Sequence, residues 1–368
     1  MRSKAALSVL LAGGLTTSLA LTGCAGGPSG EATDEGKSFA GQTLRVTAYA
    51  GAWQDSFVEA FVEPFEEETG ATVEITSGAD ADWFTQLRAA GGSNPPLDMS
   101  VFTPSTVFQA VRAGVLEPVD TAQLDDIDDM SEFLMSTAAV DGVQYGVPLS
   151  NGNLGLGYRE DLVPEPPSSW SDLWDPQYCG HIAISPITYA AGLQLIAGLV
   201  HAEGGELSNE ADVDAAFAKL EDLASCVSSY PADAASVTSA LQNGDAWIAP
   251  FYDSRIFAMQ AAGDPVDFAY PEEGAVAGPT GYYIASGTPN LELAYAFLNV
   301  LTDPENGRVF SEQTFAASGN DTVEYPAELA DKIAHTDEDY ETFTVVDYEA
   351  AVPQMGEWQT RWSEIFTG

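Results

Sequence analysis

Few side chains in this sequence are of a type that does covalent or acid–base chemistry near neutral pH: the histidines His181, His201 and His335, and the cysteines Cys24, Cys179 and Cys226. Catalysis needs a nucleophile, a base and a charge-stabilising partner brought to one point. The spacings that announce such sets are absent, with no Gly-x-Ser-x-Gly, no His-Glu-x-x-His, no P-loop and no Cys-x-x-Cys. His201 closes an apolar helical stretch and His181 sits in a strand pattern, where a structural imidazole is the commoner outcome. Gly152, Gly155 and Gly157 lack the spacing of a dinucleotide fingerprint. No catalytic set is discernible, so the chain is expected to be no enzyme and to carry no cofactor and no metal.

Cys24 has a different role. Arg2 and Lys4 precede an apolar run, Ala5 to Leu21, that ends at a small-residue cleavage site, which is the pattern of a bacterial secretory signal. Leu21-Thr22-Gly23-Cys24 resembles the lipobox of bacterial lipoproteins, which implies that Cys24 becomes a lipidated N-terminus on the outer face of the cell membrane. An ordinary signal peptide, or a first membrane helix with a chance cysteine, is the alternative; the run is short for a span. Residues 1–23 are thus expected to be the leader and 24–42 a flexible tether, since Ala25 to Gly36 hold no large apolar residue. Cys179 and Cys226 remain, and export suggests one disulfide, with two buried free thiols as the other possibility.

Charge narrows the partners further. The chain has 56 acidic against 12 basic residues; without Arg2 and Lys4, ten basic residues remain and the formal charge is −46. Phosphate binding needs the opposite sign, so nucleic acid is excluded as a partner. The acids are scattered, which is the pattern of a solvated, self-repelling surface suited to high salt.

The elements that would position any site alternate in type. Leu44 to Tyr49 reads as a strand; Trp53, Phe57, Phe61 and Phe65 recur every four residues along a helix that ends at Gly70; Thr72 to Ile75 reads as a second strand. Helix then strand follows at 83–90 and 99–102, a helix at 106–113 and a strand from Tyr145 to Leu149. Later helices are expected at 190–201, 212–227, 237–243 and 291–301, with strands at 181–185, 246–249 and 281–285. This is an α/β chain with parallel pairing.

Three stretches are similar to the solute-binding proteins of ABC importers, in the spermidine/putrescine-binding branch. They are Pro64-Phe65-Glu66-Glu67-Glu68-Thr69-Gly70; Trp170-Ser171-Asp172-Leu173-Trp174-Asp175-Pro176-Gln177-Tyr178-Cys179-Gly180; and Tyr270-Pro271-Glu272-Glu273-Gly274-Ala275, with Ala294 to Asn299 and Asp303-Pro304-Glu305 after it. The resemblance implies a two-lobed periplasmic-binding-protein-like fold (type II), each lobe a mixed, mostly parallel sheet flanked by helices. The expected division is 43–147 plus 253–315 in one lobe and 148–252 plus 316–368 in the other, with crossings near Pro148 and Pro250. It also implies a monomer that binds a small polar or cationic solute in the cleft and delivers it to an ABC permease and its ATPase subunits.

Ligand residues are then expected at strand ends facing that cleft: Tyr49 and Trp53; Thr103 and Ser105; Asn151 and Asn153; Phe251, Tyr252 and Asp253; Thr280, Tyr282 and Tyr283. In polyamine binders, aromatic walls hold the methylene chain and acids pair with the ammonium groups; each aromatic face contributes roughly 0.5–2 kcal/mol to a cation. On the resemblance, Asp253 takes the place of an amine-pairing acid, while Thr280 replaces the family's other central acid. Asp80 and Asp82 are the further sources of negative charge. A lipid-anchored hydrolase on an α/β scaffold, a ferric-ion or thiamine binder, and an adhesion or scaffold lipoprotein are the alternatives.

Overall fold

Phe57, Phe61 and Phe65 make one apolar stripe because Ala52–Phe57, Val58–Val62 and Glu63–Thr69 run on as a single helix, widened by a π-type turn at Val58–Val62. It stops at Gly70, whose φ of 70° is left-handed and whose N–H closes on Glu66 O at 3.0 Å. The stripe meets the Tyr282 ring, stacked on Phe57 at 5.2 Å, and Phe297, 4.9 Å from Phe65. Burying each of these rings contributes roughly 1.5–3 kcal/mol. This computed structural model describes residues 39–366. The leader and Cys24 lie outside the described residues. The expected tether reached residue 42, yet Phe39 already packs on the first core and its N–H meets Thr69 O at 3.3 Å. Among the described residues, no helix is long and apolar enough to cross a membrane.

Thr43–Tyr49 and Thr72–Gly78 pair in parallel. They join the strand Met99–Phe102 through hydrogen bonds that include Asp98 N–H to Arg45 O (2.8 Å) and Val101 N–H to the Thr47 hydroxyl (2.9 Å). A longer sheet runs in the order Met99–Phe102, Val276–Ile284, Gly146–Arg159, Ile248–Tyr252, Ile182–Ala183, Val227–Ser229. Its first three junctions are antiparallel and its last two parallel. Cys179 and Cys226, just ahead of the last two strands, are joined by a disulfide.

Two cores divide the chain into an α/β molecule of two lobes. One core gathers Leu44 to Leu149 with Tyr282 to Phe310; the other gathers Leu154 to Ile248 with Val276 and Val346 to Phe366. Gly146–Arg159 passes from Val147 and Leu149 in the first core to Leu154 in the second, and Val276–Ile284 returns beside it. The sequence expectation put 253–315 in the first lobe with a return near Pro250. Ile256, Met259 and Val266 instead pack with Val237, Leu241 and Phe251 on the second side. The helix Asp253–Ala262 and strand Val266–Ala269 cover the far end of the long strand, so we propose a division in which the chain returns only at Val276–Ile284.

Candidate functional site

Strand ends of the first lobe converge on Asp80. Tyr49 ends the first strand and Thr103 precedes the helix Pro104–Arg112; Asp80 opens the helix Asp80–Ala90. The Tyr49 hydroxyl donates to Asp80 Oδ1 at 2.6 Å, and the Thr103 N–H and hydroxyl donate to Oδ2 at 2.9 and 2.8 Å. Burial and the Asp80 charge hold the Tyr49 hydroxyl well above its ordinary pKa. Trp53 is half-buried, edge-on to Tyr49 at 5.2 Å and stacked on Phe57 at 5.4 Å. Ser105 is half-buried in the first helical turn beyond Thr103, and Asp82 is exposed, two residues beyond Asp80.

The second lobe supplies tyrosines at helix starts. Tyr189 precedes Ala190–Ala202 and Tyr252 precedes Asp253–Ala262; their rings lie edge-on, 6.4 Å apart. The Tyr252 hydroxyl donates to Gln194 Oε1 at 2.6 Å. Tyr348, first residue of the C-terminal helix Tyr348–Phe366, acts electrostatically on Tyr252, and Asp80 of the first lobe raises the Tyr348 hydroxyl's pKa further beyond the effect of burial. Arg255 sits in the first turn after Tyr252, exposed, and draws down the hydroxyl pKa of both Tyr189 and Tyr252 against the larger effect of their burial. Arg45, Arg112, Arg159, Arg308 and Arg361 all form ion pairs with acids. Among the described residues Arg255 and Arg88 form none, and of these two only Arg255 stands beside Tyr189 and Tyr252, in a chain where acids outnumber bases by more than four to one. Tyr189, Tyr348 and Arg255 escape strand-end reasoning. The signal that could have found Arg255 was its scarcity beside a candidate site.

Other expected ligand residues stand elsewhere. Tyr282 and Phe251 are fully buried core rings, the Tyr282 hydroxyl donating to Thr47 O. Tyr283 is buried in the same core. Thr280 meets Ser150, hydroxyl to hydroxyl at 2.9 Å, between the crossing strands. Asn151, Asn153 and Asp253 form a buried polar group. Asp253, 2% exposed, accepts from the Asn153 N–H (2.9 Å), the Asn153 amide (2.8 Å), the Ser254 N–H (2.6 Å) and the Tyr270 hydroxyl (2.8 Å). An ammonium reaching the Asp253 carboxylate would have to displace these donors, whereas Asp80 bonds Tyr49 and acts on Tyr348. A cavity of about 500 Å³ lined by Glu160, Gln260, Asp267 and Lys332 includes none of these residues. No group of three or more His, Cys, Asp or Glu among the described residues is placed to hold a metal ion.

Residues 60–337 match the family described as bacterial extracellular solute-binding protein. The spermidine/putrescine-binding periplasmic protein of Escherichia coli (strain K12) is 22% identical over 267 residues, 72% of this chain and 75% of that one. The gamma-aminobutyric acid-binding protein of Pseudomonas aeruginosa is 26% identical over 277 residues, 74% of this chain and 75% of that one. Among solved structures, a spermidine/putrescine ABC transporter substrate-binding protein from Streptococcus pneumoniae superposes with a TM-score of 0.75 at 20% identity, covering 88% of this chain and 98% of that one. An extracellular solute-binding protein from Bordetella parapertussis gives 0.77 at 21% identity, with coverage of 88% and 98%.

Proposed function

The chain belongs to the family of bacterial extracellular solute-binding proteins, and from that premise we propose that it captures a small amine-bearing solute between its lobes and delivers it to an ABC permease and its ATPase subunits. Binding and release are the whole of its chemistry, with no covalent step. A lipid on Cys24 would keep the receptor on the outer face of the membrane, within reach of its permease.

The observations that carry this reading are Asp80, held by Tyr49 and Thr103 in the first lobe and acting electrostatically on Tyr348, and Tyr189 and Tyr252, which lie edge-on in the second lobe with Tyr348 acting on Tyr252. A carboxylate attracts an ammonium and aromatic faces hold the carbon chain beside it. Contacts from both lobes let the solute favour the closed state. Similarity to spermidine/putrescine binders supports a polyamine-like cation. Arg255 favours a second reading: a guanidinium beside the same tyrosines repels a second ammonium and suits a carboxylate. That chemistry is an amine and a carboxylate on one short chain, the kind of solute bound by the gamma-aminobutyric acid-binding relative.

The test is a thermal-shift panel of putrescine, spermidine, gamma-aminobutyrate, betaine, thiamine and ferric ion. A ligand at a hundred times its Kd adds about 2.7 kcal/mol of stability. A rise with gamma-aminobutyrate exceeding that with putrescine supports the zwitterion, and the reverse order supports the polyamine. Turnover of any solute by the purified protein overturns the receptor reading.

A further inference from the structure

Among the described residues three chain segments pass between the lobes, and they meet at residues 150–153. Gly146–Arg159 goes out through them, and Val276–Ile284 returns with Thr280 opposite Ser150 and Ala277 opposite Asn153. The third leaves Phe310 in the first core and pairs Ala317 with Asn151 and Ser318 with Ser150. One continuous run of hydrogen bonds joins this meeting point to the second lobe. Gly278 N–H donates to Asn151 Oδ1 (3.2 Å) and the Asn151 amide to Asn153 Oδ1 (2.8 Å). Asn153 donates twice to Asp253; Tyr270 donates to Asp253 and accepts from Ala334 N–H at 3.0 Å.

We infer that Asp253 is a positioning residue: without touching the solute, its carboxylate locks the crossing strands to the second lobe and so sets the open–closed equilibrium on which solute binding draws. The inference rests on the receptor reading above for its consequence and on the hinge geometry for its cause. A buried carboxylate that accepts from four donors has no neutral equivalent. The Asn153 and Ser254 groups can only donate to it, so a proton on Asp253 would face donors on every side except at the Tyr270 oxygen. The titratable groups facing it are Tyr270 and Tyr340. Arg255, two residues on, acts on Tyr189 and Tyr252. Burial raises the Asp253 pKa to about 6 against the opposing hydrogen bonds, so this proton arrives within the range an exported protein meets.

The test measures lobe separation without solute. Spin labels on Glu59→Cys and Glu221→Cys, exposed positions on the first and second lobes, report the distance distribution of the purified protein between pH 8 and pH 5. The expected result is a distribution that changes with a midpoint near pH 6 in the wild type and is pH-independent in Asp253→Asn. Tyr270→Phe, which removes one donor and leaves the carboxylate, should shift the distribution while keeping a pH dependence. A wild-type distribution constant over this range, or the same pH dependence in Asp253→Asn, overturns the inference. So does an Asp253→Asn variant with unaltered lobe separation that has lost affinity for gamma-aminobutyrate, because that makes Asp253 a solute ligand. Failure of every solute to bind would sink the receptor reading and leave the distance measurement intact.

Discussion

The Tyr49 hydroxyl and the Thr103 backbone and hydroxyl hold opposite oxygens of Asp80, at 2.6 Å on one side and 2.9 and 2.8 Å on the other. The carboxylate is therefore oriented before any solute arrives, and a charged hydrogen bond to it contributes about 1.5–3 kcal/mol. Asp80→Asn should weaken binding of an amine-bearing solute by roughly 10- to 100-fold. Titration calorimetry on putrescine and gamma-aminobutyrate checks this; unchanged affinity for both removes Asp80 from the site.

Arg255 discriminates between the two readings of the solute. Arg255→Ala should lower affinity for gamma-aminobutyrate and raise it for putrescine, because it removes an attraction for a carboxylate and a repulsion of a second ammonium. Competition binding with both solutes gives the ratio. A ratio that stays at its wild-type value places Arg255 outside the recognition surface.

Asp98 couples the fold to acid. Its fully buried carboxylate accepts from the Arg45 N–H, Nε and Nη2 and from the Thr288 hydroxyl, at 2.6–2.9 Å. Burial alone would raise its pKa, but the Arg45 and Thr288 hydrogen bonds outweigh that and hold it below the ordinary carboxylate value. A depressed folded pKa means that the stabilisation is present above pH 4 and is lost as pH falls through the folded value. Asp98→Asn should lower Tm markedly at pH 7, and the gap to wild type should narrow below pH 4. A gap that is constant with pH would show that the ion pair is not its source.

The disulfide closes a loop with a sequence separation of 47 between Cys179 and Cys226. Chain entropy gives such a link roughly 4 kcal/mol, and removal of native disulfides typically costs about 2–5 kcal/mol. The double variant Cys179→Ser, Cys226→Ser should therefore denature at lower urea concentration with solute affinity retained, since neither residue lies among the cleft groups. Loss of affinity at full folding would tie this edge of the sheet to the site.

Salt should stabilise the whole molecule. With 56 acids against 12 bases, self-repulsion destabilises the compact state, and screening at about 1 M shortens its range to about 3 Å from about 10 Å at 0.1 M. Calorimetry between these concentrations should show Tm rising with sodium chloride. A flat or falling Tm would refute a surface suited to high salt.

Where one face of an element is apolar at a regular interval, its structure was legible beforehand. The helix stripe at Phe57, Phe61 and Phe65 and the strand at Leu44, Val46 and Ala48 follow from spacing alone, as burial of one face demands. The long crossing strand was not legible past residue 149, because Asn151, Gly152, Asn153, Gly155 and Gly157 are poor strand formers. It is extended because partners flank it on both edges, and a Cβ on Gly155 or Gly157 would come within 2.6 Å of Phe268 or Ile256. That close approach is a property of the assembled sheet.

The same division holds at the site. The order of residues along the chain determined the α/β class, the absence of recognisable catalytic motifs, and a set of strand ends rich in aromatics and acids, while the two lobes were implied by the family resemblance. Which of those acids could meet a solute depended on what else was buried beside each one. Asp80 is held by three donors at the edge of the tyrosine group, while Asp253, better placed by resemblance, is enclosed by four donors at the hinge. Residue type is written in the sequence. Whether a carboxylate's oxygens face a cleft or an amide is decided by segments that are remote in the chain, and only folding brings them together.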